Sequence, residues 1–143
     1  MFIGTISCGG KCCKESGHPL SVCQNDPWRS APVKEIDDRD IIEKYLSDPI
    51  SKAVVFGGLE PFEQFDEVHQ FIKCLRADYG CFDPVIIYSG YEETEISSQV
   101  EVLKNFKNII IKFGRYVPGR GKHYDDVLGV MLASPNQYAE RIS

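Results

Sequence analysis

The 143-residue sequence predicts an α/β fold in one domain, spanning 1–143. Two observations carry that expectation. Short, wholly apolar runs alternate with segments of helical period, and each run ends in a turn rich in glycine, serine or cysteine. Alternation of this kind builds βαβ units around a parallel sheet. Runs that are apolar on both faces suit a sheet covered by helices on both sides, or a curved sheet enclosing a core.

The elements follow in order. Residues 1–6 read as a first strand, and 7–35 as a long loop rich in Gly, Pro, Ser and Cys. A loop of that length is uncommon in a compact domain unless it serves a function. Asp37 and Asp38 offer N-cap chemistry to a helix carrying Ile41, Ile42, Tyr45 and Leu46. Asp48-Pro49 ends it, because the residue before proline resists the helical region. Residues 53–56 (AVVF) form a buried strand closed by Gly57-Gly58. Pro61 then opens a helix with Phe62, Phe65, Val68, Phe71, Ile72 and Leu75 at spacings of mostly three or four residues. Residues 85–88 (VIIY) form the next strand, closed by Ser89-Gly90, and Ile96, Val100 and Leu103 face inward from the helix after it. A strand over 108–113 (NIIIKF) and a further one over 127–133 complete the pattern.

The charge balance excludes some classes of function. A net charge of −5 and a pI near 5.2 argue against a nucleic-acid partner, which needs clustered Lys and Arg. The one basic concentration, Lys112, Arg115, Arg120 and Lys122, suits a small anion at most. No apolar run approaches about 18 residues, so no membrane span is expected. Met1 opens directly into a strand, so a secretory signal is not expected and the expected compartment is the reducing cytoplasm. Clustered cysteines there are more often metal-binding or catalytic than disulfide-bonded.

Four of the six cysteines, Cys8, Cys12, Cys13 and Cys23, fall in the loop after the first strand. Thiolates so crowded can hold an iron–sulfur cluster. Three of them serve three irons of a 4Fe–4S cubane and leave the fourth open. Zinc is the alternative, with His18 as a possible fourth ligand, and unliganded thiols are the plain one. Gly57-Gly58-Leu59-Glu60-Pro61 bares backbone to a ligand and places a carboxylate at a helix start, or it is simply a capped turn. Ser89-Gly90, then Lys112, Arg115 and Tyr116, and lastly Asn136-Gln137 are weaker candidates of the same kind. Each has a bland reading as a turn, a solvated face or a terminal cap. His69 reads as solvated, and Cys74 and Cys81 as packing residues. In parallel α/β sheets ligands bind at the carboxyl ends of the strands, where four of these motifs converge.

Taken together, the cysteine loop, GGLEPF, YSGY, KFGRY and ASPNQY resemble the radical S-adenosylmethionine (SAM) superfamily. Within it they look most like the small activating proteins of anaerobic ribonucleotide reductase, over nearly the whole chain. The resemblance implies a partial β/α barrel, a 4Fe–4S cluster held by Cys8, Cys12 and Cys23, with Cys13 as the alternative middle ligand, and no catalytic residue beyond the cluster. It implies SAM lined by Gly57, Gly58, Glu60 and Ser89, with Arg115 and Asn136 as secondary contacts. The implied chemistry is reductive cleavage of SAM to a 5′-deoxyadenosyl radical that activates a glycyl radical enzyme, with a flavodoxin-type electron donor. The chain departs from the family in two places. Ten residues separate Cys12 from Cys23 where the family has two between its last pair, and Leu59 interrupts the Gly-Gly-Glu-Pro run. The altered spacing leaves an alternative open: a non-catalytic iron–sulfur carrier, a regulator or a structural zinc module on the same fold.

Overall fold

Strand β1 (Phe2–Thr5) begins the sheet in the computed structural model, which describes residues 1–143. Strands β2 (Val54–Gly58), β3 (Val85–Tyr88) and β4 (Ile109–Phe113) follow, and β7 (Tyr138–Arg141) closes the far edge. The spatial order is β1-β2-β3-β4-β7. The first four strands are parallel and β7 runs antiparallel to β4. The domain is thus α/β with a mostly parallel five-stranded sheet.

Consecutive parallel neighbours require crossovers, and crossovers of one hand bring their helices to one face. The helices are α2 (Asp38–Ser47), α3 (Phe65–Ala77) and α4 (Ser97–Leu103). The core shows the result. Ile42 and Tyr45 of α2, Phe71, Ile72 and Leu75 of α3, and Val100 and Leu103 of α4 pack on Val54, Phe56, Val85, Ile87, Ile109, Ile111 and Phe113. These strand residues alternate, as a period of two demands. Of the intervening residues on the opposite face, Val55, Ile86 and Tyr88 are only half-buried, while Ile110 and Lys112 of β4 are buried.

Local chemistry sets the element ends. The Asp37 carboxylate accepts a hydrogen bond from the Arg39 N–H (2.9 Å), so the expected N-cap is Asp37. The segment from Pro61 begins as a single 3-10 turn, Pro61–Gln64, before α3. Arg76, buried at the end of α3, donates to the carbonyls of Cys81, Asp83 and Lys107 and fastens the next two connections.

Two expectations need correction, and β7 was not among the expected strands. Residues 7–35 are not one loop: they contain helix α1 (Lys11–Ser16) and 3-10 turns at Leu20–Val22 and Asp26–Ser30. Helix α1 has six residues, too few to show a helical period, and it is bracketed by left-handed Gly10 (φ 72°) and Gly17 (φ 70°). Residues 127–133 do not join the main sheet. Val130–Leu132 (β6) instead pairs with His123–Asp125 (β5) in a separate antiparallel ribbon. The Asp125 carboxylate ties that ribbon to β7 by accepting from the Ala139 N–H (2.9 Å). Finally, β7 has no sequence signal of its own, being a short, polar edge strand. No helix is long and apolar enough to cross a membrane.

Candidate functional site

The carboxyl ends of β1 to β4 carry the polar residues, and side-chain bonds fasten these ends to one another. The chain leaving β1 is stapled to the turn after β2. Gln64 accepts from the N–H groups of Ile6 (2.5 Å) and Ser7 (3.3 Å). Glu63 accepts from Ser7 Oγ (2.9 Å), the Gly9 N–H (2.6 Å) and the Tyr91 hydroxyl (3.3 Å). Neither residue was singled out from sequence. Their signal was position alone, directly after Glu60 in the same turn.

Glu60 is 7% exposed and fully engaged. It accepts from Ser89 Oγ (2.9 Å), the Gly90 N–H (2.8 Å) and the Phe62 N–H (3.2 Å). It therefore joins the ends of β2 and β3 while capping the turn at Pro61. Burial pushes its pKa up, against the opposing pull of these bonds and of Lys112. Lys112 is itself buried, and its Nζ donates to the carbonyls of Ser89 (3.0 Å) and Gly114 (2.7 Å). Burial lowers its pKa to about 8. The basic concentration seen in the sequence is thus split, with Lys112 an internal strut.

Cys12 packs directly on this assembly. A Cβ placed on Gly90 would lie 2.6 Å from Cys12 Sγ and 3.5 Å from Glu60 Oε2. Cys8 and Cys12 line one small pocket together with Lys11, Glu60, Glu63, Gly90 and Tyr91. Burial raises the pKa of Cys12, and the neighbouring Cys8 and Glu60 add to the effect. Cys13 follows Cys12 on α1 and so points about 100° away. It is buried, and its pKa is raised by burial first and by Cys23 second. The Arg29 guanidinium donates to the Cys8 carbonyl and reaches to 3.5 Å from Cys8 Sγ. All six cysteines are free.

The remaining candidates fall as follows. Gly57 lies under the Phe2 ring, and a Cβ there would meet it at 3.1 Å. Gly58 (φ 91°) and Gly4 lie against Trp28, whose ring would stand 2.6 Å from a Cβ on Gly4. Arg115 meets three glutamates. Its Nη2 donates to Glu95 (2.6 Å) and Glu15 (3.2 Å), and its Nη1 lies 3.8 Å from Glu92. Asn136 Nδ2 donates to the Arg115 carbonyl (2.8 Å), while Asn136 Oδ1 is buried without a partner. His69 is half-buried, packing between the rings of Phe65 and Phe106.

The donor chemistry fits an iron–sulfur cluster, with four free thiols in one segment, two of them facing one pocket at the sheet's edge. In this arrangement no three Cys, His, Asp or Glu side chains are gathered around a common metal position.

Comparison with known proteins agrees with that chemistry. Residues 7–125 match the family described as a 4Fe-4S single cluster domain. The chain belongs to this family and is an iron–sulfur cluster-binding protein. It is also 28% identical over 80 residues to the general transcription and DNA repair factor IIH helicase subunit XPD of Schizosaccharomyces pombe. That match covers 48% of this chain and 10% of the helicase subunit, so the chain spans about a tenth of that relative's length. No solved structure matches.

Proposed function

We propose that the protein binds SAM beside a 4Fe–4S cluster and cleaves it reductively, so as to activate a partner enzyme by hydrogen abstraction. The single observation behind this reading is the seating of Cys12 on Gly90 over Glu60, which brings the cysteine segment onto the ends of β2 and β3. Cys8, Cys12 and Cys23 hold the cluster, with Cys13 as the alternative to Cys12. When bound, the reduced cluster supplies the one electron that breaks the sulfonium C–S bond of SAM. Gly57 and Gly58 offer backbone to the SAM amino group once Phe2 and Trp28 move aside. Glu60 and Ser89 shape the floor, and Arg115 and Asn136 frame the side toward β7. In this reading the chain is a partial β/α barrel, and the open sheet edge at β1 is where the missing wall would stand. The partners are a glycyl radical enzyme and a flavodoxin-type electron donor, and the compartment is cytoplasmic.

The deciding experiment is anaerobic reconstitution, iron and sulfide counting, and an assay for 5′-deoxyadenosine with dithionite. Product at the level of the cluster content supports the proposal. A loaded cluster that yields no product overturns it.

A second reading has its own observation. Glu60 and Arg115 are already committed to internal partners, which suits an iron–sulfur carrier or regulator, or a structural zinc module, that never binds SAM. Metal analysis of anaerobically purified protein separates zinc from iron, and SAM titration of the loaded protein separates carrier from enzyme.

A further inference from the structure

Helix α1 is short and is bounded by Gly10 and Gly17, both in the left-handed region. Two cysteines ride on it, and a roll of about 100° exchanges one for the other at the pocket. Besides backbone bonds to its flanking residues, such as the His18 N–H to the Cys13 carbonyl (3.0 Å), the helix is tied to the rest of the protein by side-chain bonds to residues distant in sequence. Arg115 Nη2 donates to Glu15 at 3.2 Å across a separation of 100 residues, and its Nε sits 2.6 Å from the other Glu15 oxygen. The same Nη2 donates to Glu95 at 2.6 Å, and Lys11 donates to that same Glu95 oxygen. Glu15 and Lys11 are thus the two ends of α1, and both are clasped to one arginine–glutamate pair.

That pair is in turn fixed. The Arg115 carbonyl accepts from Asn136 Nδ2 (2.8 Å) and Ser134 Oγ (3.3 Å). A Cβ on Gly114, which has φ 92°, would lie 2.7 Å from the Asn136 carbonyl, so the two segments touch backbone to backbone. Glu95 closes a capping box with Glu92. Arg115 is only 11% exposed, unlike a surface arginine with a wandering side chain.

We infer that Arg115 is a positioning residue for the cluster: it clasps α1 at Glu15 and, through Glu95, at Lys11, so that Cys12 and not Cys13 faces the pocket beside Cys8. The clasp sets which thiol serves as the middle ligand, a choice the cysteine spacing leaves open. This rests on the reading of Cys12 as a cluster ligand.

The test uses the full chain, metal-free and reduced, pulsed with N-ethylmaleimide and mapped by peptide mass spectrometry. Arg115→Gln is expected to speed labelling of Cys12 by about five-fold and of the buried Cys13 by more, bringing the two toward equal rates. Cys74 and Cys81 should keep their wild-type rates. Arg115→Lys, which keeps the charge but loses the fork, should fall between. An unchanged Cys12 rate in Arg115→Gln overturns the inference. If that variant labels Cys74 as fast as unfolded protein does, Glu15→Gln replaces it, cutting the clasp on the helix side. Acceleration at Cys12 in that variant supports the inference, and no change overturns it. Iron content of Cys12→Ala and Cys13→Ala checks the ligand reading separately. Full iron in Cys12→Ala would remove Cys12 from the ligand set while leaving the labelling result intact.

Discussion

Gly90 has no side chain because Cys12 Sγ occupies the space one would need, 2.6 Å from the ideal Cβ position. Gly90→Ala should therefore displace Cys12 and lower iron loading by half or more, read by visible absorbance and iron count, while far-UV circular dichroism stays as in wild type. Equal loading would mean that the Cys12–Gly90 contact is irrelevant to the cluster. Glu60→Gln is a sharper probe of the floor. All its partners are donors, and an amide nitrogen would turn a donor toward the Ser89 hydroxyl, the Gly90 N–H or the Phe62 N–H. Thermal unfolding should show a loss of about 1–3 kcal/mol, the usual cost of an unsatisfied buried polar group. At this scale the sequence marked Glu60 as a candidate but not its partners. Glu60 stood out beside two glycines, yet nothing in the chain announced that its bonds run to Ser89, Gly90 and Phe62. Such pairings depend on which strand ends become neighbours, and that is decided only when the sheet forms.

At the scale of elements, β1 to β4 and helices α2 to α4 were legible from their apolar runs and periods. Helix α1 and strand β7 were not, one being held by distant ion pairs and the other by edge pairing to β4. The clasp on α1 has a definite pH signature. The Arg115 and Lys11 bonds hold the Glu95 carboxyl at about 2, below its ordinary 4.5. A depressed carboxyl stabilises the fold fully above its unfolded value and loses that contribution as pH falls through its folded value. The difference in thermal midpoint between wild type and Glu95→Gln should be constant above pH 5, then shrink between about 4.5 and 2. A difference that does not vary with pH would remove the ion pairs from the account. A second element, the turn after β4, rests on Gly114. With φ at 92° and the Asn136 carbonyl against it, Gly114→Ala should destabilise by about 1–3 kcal/mol in chemical unfolding.

For the whole molecule, the main core and the cysteine segment are separate structures. Eighteen buried residues make up the core cluster, and none of Cys8, Cys12, Cys13 and Cys23 is among them. Removing the metal by chelation should leave the far-UV spectrum and the main unfolding transition nearly unchanged. Coincident loss of both with the metal would show instead that the cluster nucleates the fold. By contrast Phe71→Ala, at the centre of the helix-facing core, should cost about 3–5 kcal/mol whether or not metal is bound. The core was readable from periodicity. The cysteine segment was readable only as composition, because its shape depends on contacts to the sheet edge.

Trp28 is the chain's only tryptophan, and it sits on the cysteine segment with its ring against Gly4 and Gly58 and edge-on to Phe2. Its emission therefore comes from one place, the seam where that segment lies on β1 and β2. The indole is already 46% exposed, so a ligand that lifts the segment from the glycines is read as a change in its emission on losing the ring contacts, while the helical core stays silent. The protein thus carries a built-in optical gauge of whether its glycine turn is covered or open.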